Sequence, residues 1–89
     1  MATRTVTRSR KDPDDGDITA LCNPNERWWS PRSKRDAISD IENGTHEYYA
    51  DAPGVPRVKI HVVVIGGRKH LRTDPDPHKQ NNLDNLPDC

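Results

Sequence analysis

The sequence predicts an α+β domain: one helix packed on one face of a small antiparallel sheet of three to five strands, in the order β-β-α-β-β-β. Three observations predict it. A helical apolar stripe lies between a capping serine and a glycine at 33–44. A Val/Ile-rich run at 57–65 is followed at once by Gly66-Gly67, a two-residue hairpin signal. A short strand-like run, Ile18 to Cys22, precedes the helix and is broken by Asn23-Pro24-Asn25. With 89 residues and 15 Leu, Ile and Val, the chain can form one thin-cored domain.

The elements follow in order. Residues 1–16 read as a disordered tail. Arg4, Arg8, Arg10 and Lys11 precede Asp12, Asp14 and Asp15, and Met1 and Val6 are the only large apolar residues to offset the ordering entropy. The compact domain is therefore expected over 17–89. A hairpin pairs 18–22 with 26–29. It buries Ile18, Ala20, Cys22 and Trp28 and leaves Trp29 on the other face. The helix spans about 33–43, with Ser33 as N-cap and Asp36 three residues on. Ala37, Ile38 and Ile41 form the buried stripe, and Gly44 stands at the left-handed stop. Asn43-Gly44-Thr45 also fits a glycosylation sequon, but the helix-stop reading explains it without a secretory context.

A strand carrying Tyr48 and Tyr49 comes next, one ring for the core and one half-exposed. The turn at 51–56 leads into the strand 57–65, and Gly66-Gly67 returns it as 68–73. The turn sets the register: Ile65 opposite Arg68, Val63 opposite His70, Val62 opposite Leu71, His61 opposite Arg72. Val58, Ile60, Val62, Val64 and Leu71 then face the core with Ile18, Ala20, Ile38 and Ile41. Lys69 falls on the core side and so must lie at the sheet's end. Asp74-Pro75-Asp76-Pro77 stops regular structure. The last residues cross the sheet as a strap held by Leu83 and Leu86.

The functional reading starts from charge. Lys plus Arg and Asp plus Glu balance at 14 each, which removes a global electrostatic case for nucleic acid or membrane. The longest apolar run, Val62 to Ile65, cannot span a bilayer, and no apolar segment follows Met1, so a cytoplasmic protein is expected. Locally the balance breaks, because residues 57–72 hold no carboxylate. Arg57, Lys59, His61, Arg68, His70 and Arg72 share the outer face of the hairpin, with Trp29 available to stack a base. That combination suits nucleic acid or a phosphorylated small molecule. The same cationic stems also serve to cover a sheet face with no ligand at all.

A second reading is a protein-interaction module, either a homodimer or a phage-derived inhibitor, using exposed Trp29, Val63 and Ile65. An enzyme is the least supported class. No nucleophile elbow, phosphate loop, zinc-protease motif or dinucleotide turn is present, and Asp74 and Asp76 suit a stiff turn better than an acid–base pair. No cofactor is expected. His46, His61, His70 and His78 show no compact ligand spacing, so no metal site is expected either. Cys22 and Cys89 leave two readings open: a bond that pins the strap to the first strand, or two thiols kept reduced in the cytoplasm.

Several ordered motifs carry a resemblance. The opening Ile18 to Asn23, the run WWSPRSKRDAISDIENGTHEYY, then KHLRTDPD and the ending NNLDNLPDC resemble a family of small bacterial and phage proteins, domain of unknown function 3892. The resemblance covers about 17–89. It implies one compact domain per chain and brings no activity with it. Leu71, Arg72, Thr73, Pro75, Asp76 and Cys89 are the matched positions, and structural roles account for most of them: Leu71 in the core, Pro75 as a stop, Cys89 as a tether.

Overall fold

The computed structural model describes residues 2–74 and 80–89. Pro75, Asp76, Pro77 and His78, named above, lie outside them. Among the described residues the fold is α+β with one α-helix, as predicted, but the strands form three small sheets rather than one.

The helix, α1 (Lys34–Glu42), is the element whose sequence signals are most complete. Ser33 is extended, with φ −62° and ψ 153°, and its hydroxyl accepts from the Asp36 N–H at 3.2 Å. Gly44 takes φ +68° just past the C-cap Asn43. Ala37 and Ile38 are buried and Ile41 packs at the margin. The fourth inward residue is Asp40, which no apolar pattern reveals.

The expected N-terminal tail is instead two strands. β1 (Ala2–Val6) pairs in parallel with β5 (His46–Ala52), which pairs antiparallel with β6 (Val55–Lys59). β2 (Arg8–Lys11) pairs antiparallel with β3 (Ile18–Cys22), and β3 with the short β4 (Arg32–Ser33). Buried Val6 and Ser9 hold this segment inside the fold, and the Ser9 hydroxyl donates to the Leu83 carbonyl at 2.7 Å. Two inward side chains and the ladder pairings of β1 with β5 and of β2 with β3 offset the ordering entropy that composition alone weighs against the segment.

The expected second arm at 26–29 is not a strand. The Asn23 side chain accepts from Asn25 N–H, Glu26 N–H donates to the Asn23 carbonyl and Ser30 N–H to that of Glu26, so the chain coils there. The coil reverses the two tryptophans. Trp29 is 6% exposed and Trp28 is 78% exposed.

The long strand expected at 57–65 is interrupted at Ile60. Its N–H donates to the Tyr48 carbonyl at 2.8 Å and its side chain is fully buried. Beyond it, β7 (His61–Ile65) and β8 (Arg68–Arg72) form a separate hairpin in the predicted register. Gly66 (φ +59°) and Gly67 (φ +79°) supply the two positive φ values of a tight primed turn. Ile18, Ala20, Ile38, Ile60 and Leu71 are buried as expected, and Val58, Val62 and Ile41 lie at the core's margin. Val64 departs from the expectation at 64% exposed, whereas Val62, two residues farther from the turn, packs against the core. Lys69, opposite Val64 and near the turn, pairs with Glu42 at 2.8 Å.

The C-terminal strap buries Leu83 and Leu86 beside a 3-10 turn (Asn82–Asn85) and bridges Ser9 through Asp88. It ends in a Cys22–Cys89 disulfide, which resolves the two readings of those cysteines in favour of the bond.

Candidate functional site

The predicted cationic residues do not form one surface. Arg57 and Lys59 lie on β6, in a different sheet from the hairpin. The Arg57 guanidinium stacks 4.5 Å from the Tyr49 ring centroid and lies 3.6 Å from Asp51; Lys59 lies 3.5 Å from Glu47. Carboxylates outside the 57–72 window thus compensate both charges. Trp29 cannot stack a base. Its ring meets Tyr48 edge-on at 5.7 Å, its indole N–H donates to Glu26 at 2.8 Å, and the Arg4 guanidinium lies 5.6 Å from its centroid.

That buried group continues into an ionic network. Arg4 donates to the Tyr48 hydroxyl (2.8 Å), which donates to Asp40 (2.6 Å), while Arg32 clasps Asp40 through two bonds of 2.9 and 3.0 Å. Burial pushes the Asp40 carboxyl up, but the Arg32 and Tyr48 hydrogen bonds outweigh it and hold it below the ordinary carboxylate value. The network joins β1, β4, β5 and α1. It is an architectural centre rather than a site, because its atoms face one another.

The hairpin keeps His61, Arg68, His70 and Arg72 on one face, together with Val63 and Ile65. His70 Nδ1 lies 3.1 Å from Asp17, whose other carboxylate oxygen accepts from Lys34. Burial pushes the Asp17 carboxyl up, and the bonds from Lys34 and His70 more than reverse that. This face borders a cleft of about 290 Å³, lined among others by Asp15, Asp17, Ile65, His70, Arg72 and Asp84. Burial against the cleft wall raises the Asp84 carboxyl, with Lys11 and Arg72 opposing. The carboxylates give the cleft a mixed character that the all-cationic expectation lacks. Sequence reasoning had no signal for Asp17 or Asp84, since neither is near the hairpin in the chain. Arg68 is exposed at the hairpin's tip and makes no ion pair among the described residues. No group of three or more metal-ligating side chains occurs among the described residues.

The hairpin's two edges differ. Antiparallel alternation from a two-residue turn bonds residues 65 with 68, 63 with 70 and 61 with 72. It directs the backbone groups of Val62 and Val64 outward from β7, and those of Lys69 and Leu71 outward from β8. The strap reaches the Leu71 end of the β8 side, where buried Asn81 donates to the Leu71 carbonyl at 3.1 Å and accepts from the N–H groups of Thr73 and Leu83, while the charged Lys69 guards the other end. Nothing among the described residues bonds the outward groups of Val62 and Val64. The β7 edge is therefore open, and it carries Val64, 64% exposed, next to Ile65, 36% exposed.

Among the described residues the other outer edges are partly bonded, charged or short. Asn23 caps the Thr5 carbonyl on β1 at 2.9 Å, and the strap bridges β2 at Ser9. β6 carries Pro56, Arg57 and Lys59, and β4 is two residues long. Among the described residues no helix is long and apolar enough to cross a membrane.

Neither the curated proteins nor the solved structures contain a match to this chain. A family model does match, over residues 5–87, and takes in the end of β1, all of β2, the helix, the hairpin and most of the strap. On that span the chain belongs to the family described as protein of unknown function (DUF3892).

Proposed function

We propose that the protein is a non-enzymatic interaction module that binds a protein partner by strand addition along the β7 edge. The observation that carries this reading is the contrast between edges: the chain protects or charges its other outer strands and leaves one apolar edge bare. An unguarded edge presents a row of backbone donors and acceptors that a partner strand completes, with Val64 and Ile65 adding apolar contact. The test is binding of a fluorescent peptide of alternating threonine and valine, followed by anisotropy. Binding lost in Val64→Lys, with the thermal midpoint retained, supports the assignment. Equal binding by both proteins refutes it.

A second reading keeps the hairpin's outer face for a phosphate-bearing ligand, either nucleic acid or a phosphorylated small molecule. The exposed, unpaired Arg68 favours it, with His61, His70 and Arg72 on the same face. Three observations weigh against it: His70 is bound to Asp17, the cleft is lined with carboxylates, and Arg57, Lys59 and Trp29 are engaged elsewhere. Phosphate binding would fall steeply with salt, whereas strand addition would not.

A further inference from the structure

We infer that the Cys22–Cys89 bond is a thiol–disulfide exchange site for a small thiol that carries carboxylates, drawn to it by Arg10 and Arg27. The site shares no residue with the hairpin and stands whether or not a strand adds to β7. Its two sulfurs differ in access. Cys89 is exposed, whereas Cys22, at the end of β3, is 4% exposed. Both line a cleft of about 280 Å³, together with Arg10, Arg27 and the prolines Pro24 and Pro31.

The charge in this cleft has one sign. No carboxylate lines it among the described residues. Arg10 is seated beside the disulfide by donating from Nε to the Cys89 main-chain oxygen at 3.4 Å. Arg27 is exposed and makes no ion pair among the described residues. The neighbouring carboxylates in the chain are engaged: Asp88 pairs with Lys11 at 3.0 Å, and Glu26 accepts from the Trp29 indole at 2.8 Å. The cleft beside His70 is the opposite case, lined by Asp15, Asp17 and Asp84. An anion is therefore favoured at the disulfide and opposed there.

The chemistry follows from access and charge. A thiolate attacks a disulfide at the sulfur it can reach, which here is Sγ of Cys89. A bond forms between the incoming sulfur and Cys89. The Cys22–Cys89 bond breaks, and its electron pair leaves on Cys22 Sγ, which takes a proton from water. A second thiolate then attacks the small thiol's sulfur in the mixed disulfide, forms the small-molecule disulfide and releases Cys89. The small thiol is oxidised and the protein bond is reduced. Guanidinium groups beside the sulfurs favour the thiolate form, and they hold carboxylates through paired N–H bonds. The cleft is small beside the ~300–1,000 Å³ pockets of drug-sized ligands, which suits a small thiol rather than a protein loop. Exchange removes the tether between the strap and β3, while buried Leu83 and Leu86 keep the strap seated.

The test uses two phosphines as charge probes, because both open a disulfide irreversibly. Tris(2-carboxyethyl)phosphine carries carboxylates and tris(hydroxypropyl)phosphine carries none. Initial rates of thiol release are measured in low and high salt for the wild type, for Arg10→Gln combined with Arg27→Gln, and for Arg35→Gln on the exposed side of α1. Circular dichroism checks that the folds match. The double variant should slow the carboxylate phosphine at least about threefold in low salt, and high salt should remove the difference. The hydroxyl phosphine and Arg35→Gln should show no change. Equal slowing of both phosphines, no slowing, or the same slowing by Arg35→Gln would overturn the recruiting role of the two arginines. Rates that do not rise with phosphine concentration would mean that unfolding exposes the bond, and would overturn the site itself. With glutathione in excess, acid-quenched mass mapping should find the mixed disulfide on Cys89. Finding it on Cys22, or on neither cysteine, would overturn the assigned point of attack.

Discussion

The Cys22–Cys89 bond gives one of the two largest stability effects that the structure implies. The perturbation is reduction of the wild type, or the double substitution Cys22→Ser with Cys89→Ser. The cysteines are 67 residues apart, so the bond closes most of the chain into one loop. In the chain-entropy account, releasing that loop costs about 4.4 kcal/mol, because the unfolded chain regains its freedom.

The native state should change little on reduction, because the strap has other anchors: Leu83 and Leu86 are buried, Ser9 donates through its N–H to Pro87 and its hydroxyl to Leu83, and Lys11 reaches the Leu86 carbonyl. Against a total of ~5–15 kcal/mol for an ordinary domain, the loss is a large fraction. For a domain of this size it corresponds to a midpoint lowered by roughly 20–35 °C. Thermal unfolding by circular dichroism, with and without a phosphine reductant, measures it. A midpoint that moves by less than about 3 °C would show that closing this loop is not what stabilises the domain.

Other consequences are equally direct. Asp40→Ala leaves Arg32 and Arg4 partly buried without their carboxylate and should destabilise by about 3–5 kcal/mol in urea titrations, while Asp40→Asn should cost less. The folded-state pKa values of Asp40 and Asp17 lie below the ordinary 3.8, so their contribution to stability is complete above that value. As pH falls through the lowered values that contribution is lost, and urea midpoints should drop below about pH 4 in the wild type and more gently in Asp40→Asn. Gly67→Ala forces a Cβ into φ +79° and should cost about 1–2 kcal/mol, although nothing obstructs the space. Arg68→Ala combined with Arg72→Ala should abolish any salt-sensitive binding of pyrophosphate while sparing peptide binding. Retained pyrophosphate binding would remove the outer face from consideration.

Much of the local structure was legible in the sequence. Ser33 and Gly44 bound the helix because capping is decided within a few residues. Gly66-Gly67 set the hairpin register for the same reason. The features that were missed are non-local. A polar alternation of Thr and Arg before Val6 does not announce a parallel partner more than forty positions away, and Ser9 is buried only because the strap supplies the Leu83 carbonyl. Trp29 moves inward because Asn23 coils the chain that follows it, which reverses the parity a strand would impose.

The site was legible in part. The face shared by His61, Arg68, His70 and Arg72 follows from the turn. The carboxylates that compensate it, Asp17 and Asp84, arrive from other elements. The open edge could not be read from the sequence at all, because openness depends on where Asn81 and the strap settle. Once Asn81 takes the β8 side, the valines of β7 are left as the bare edge.

The central claim is that the β7 edge lacks a paired strand at Val62 and Val64 and that a partner strand closes it. Amide hydrogen exchange at Val62 and Val64, followed by NMR with and without the threonine–valine peptide, tests it most directly. The account predicts fast exchange at both amides in the free protein and protection with the peptide, with Val63, already bonded to His70, protected throughout. Protection of Val62 and Val64 in the free protein would mean that the edge is already paired, and exchange that stays fast with saturating peptide would mean that no added strand closes it.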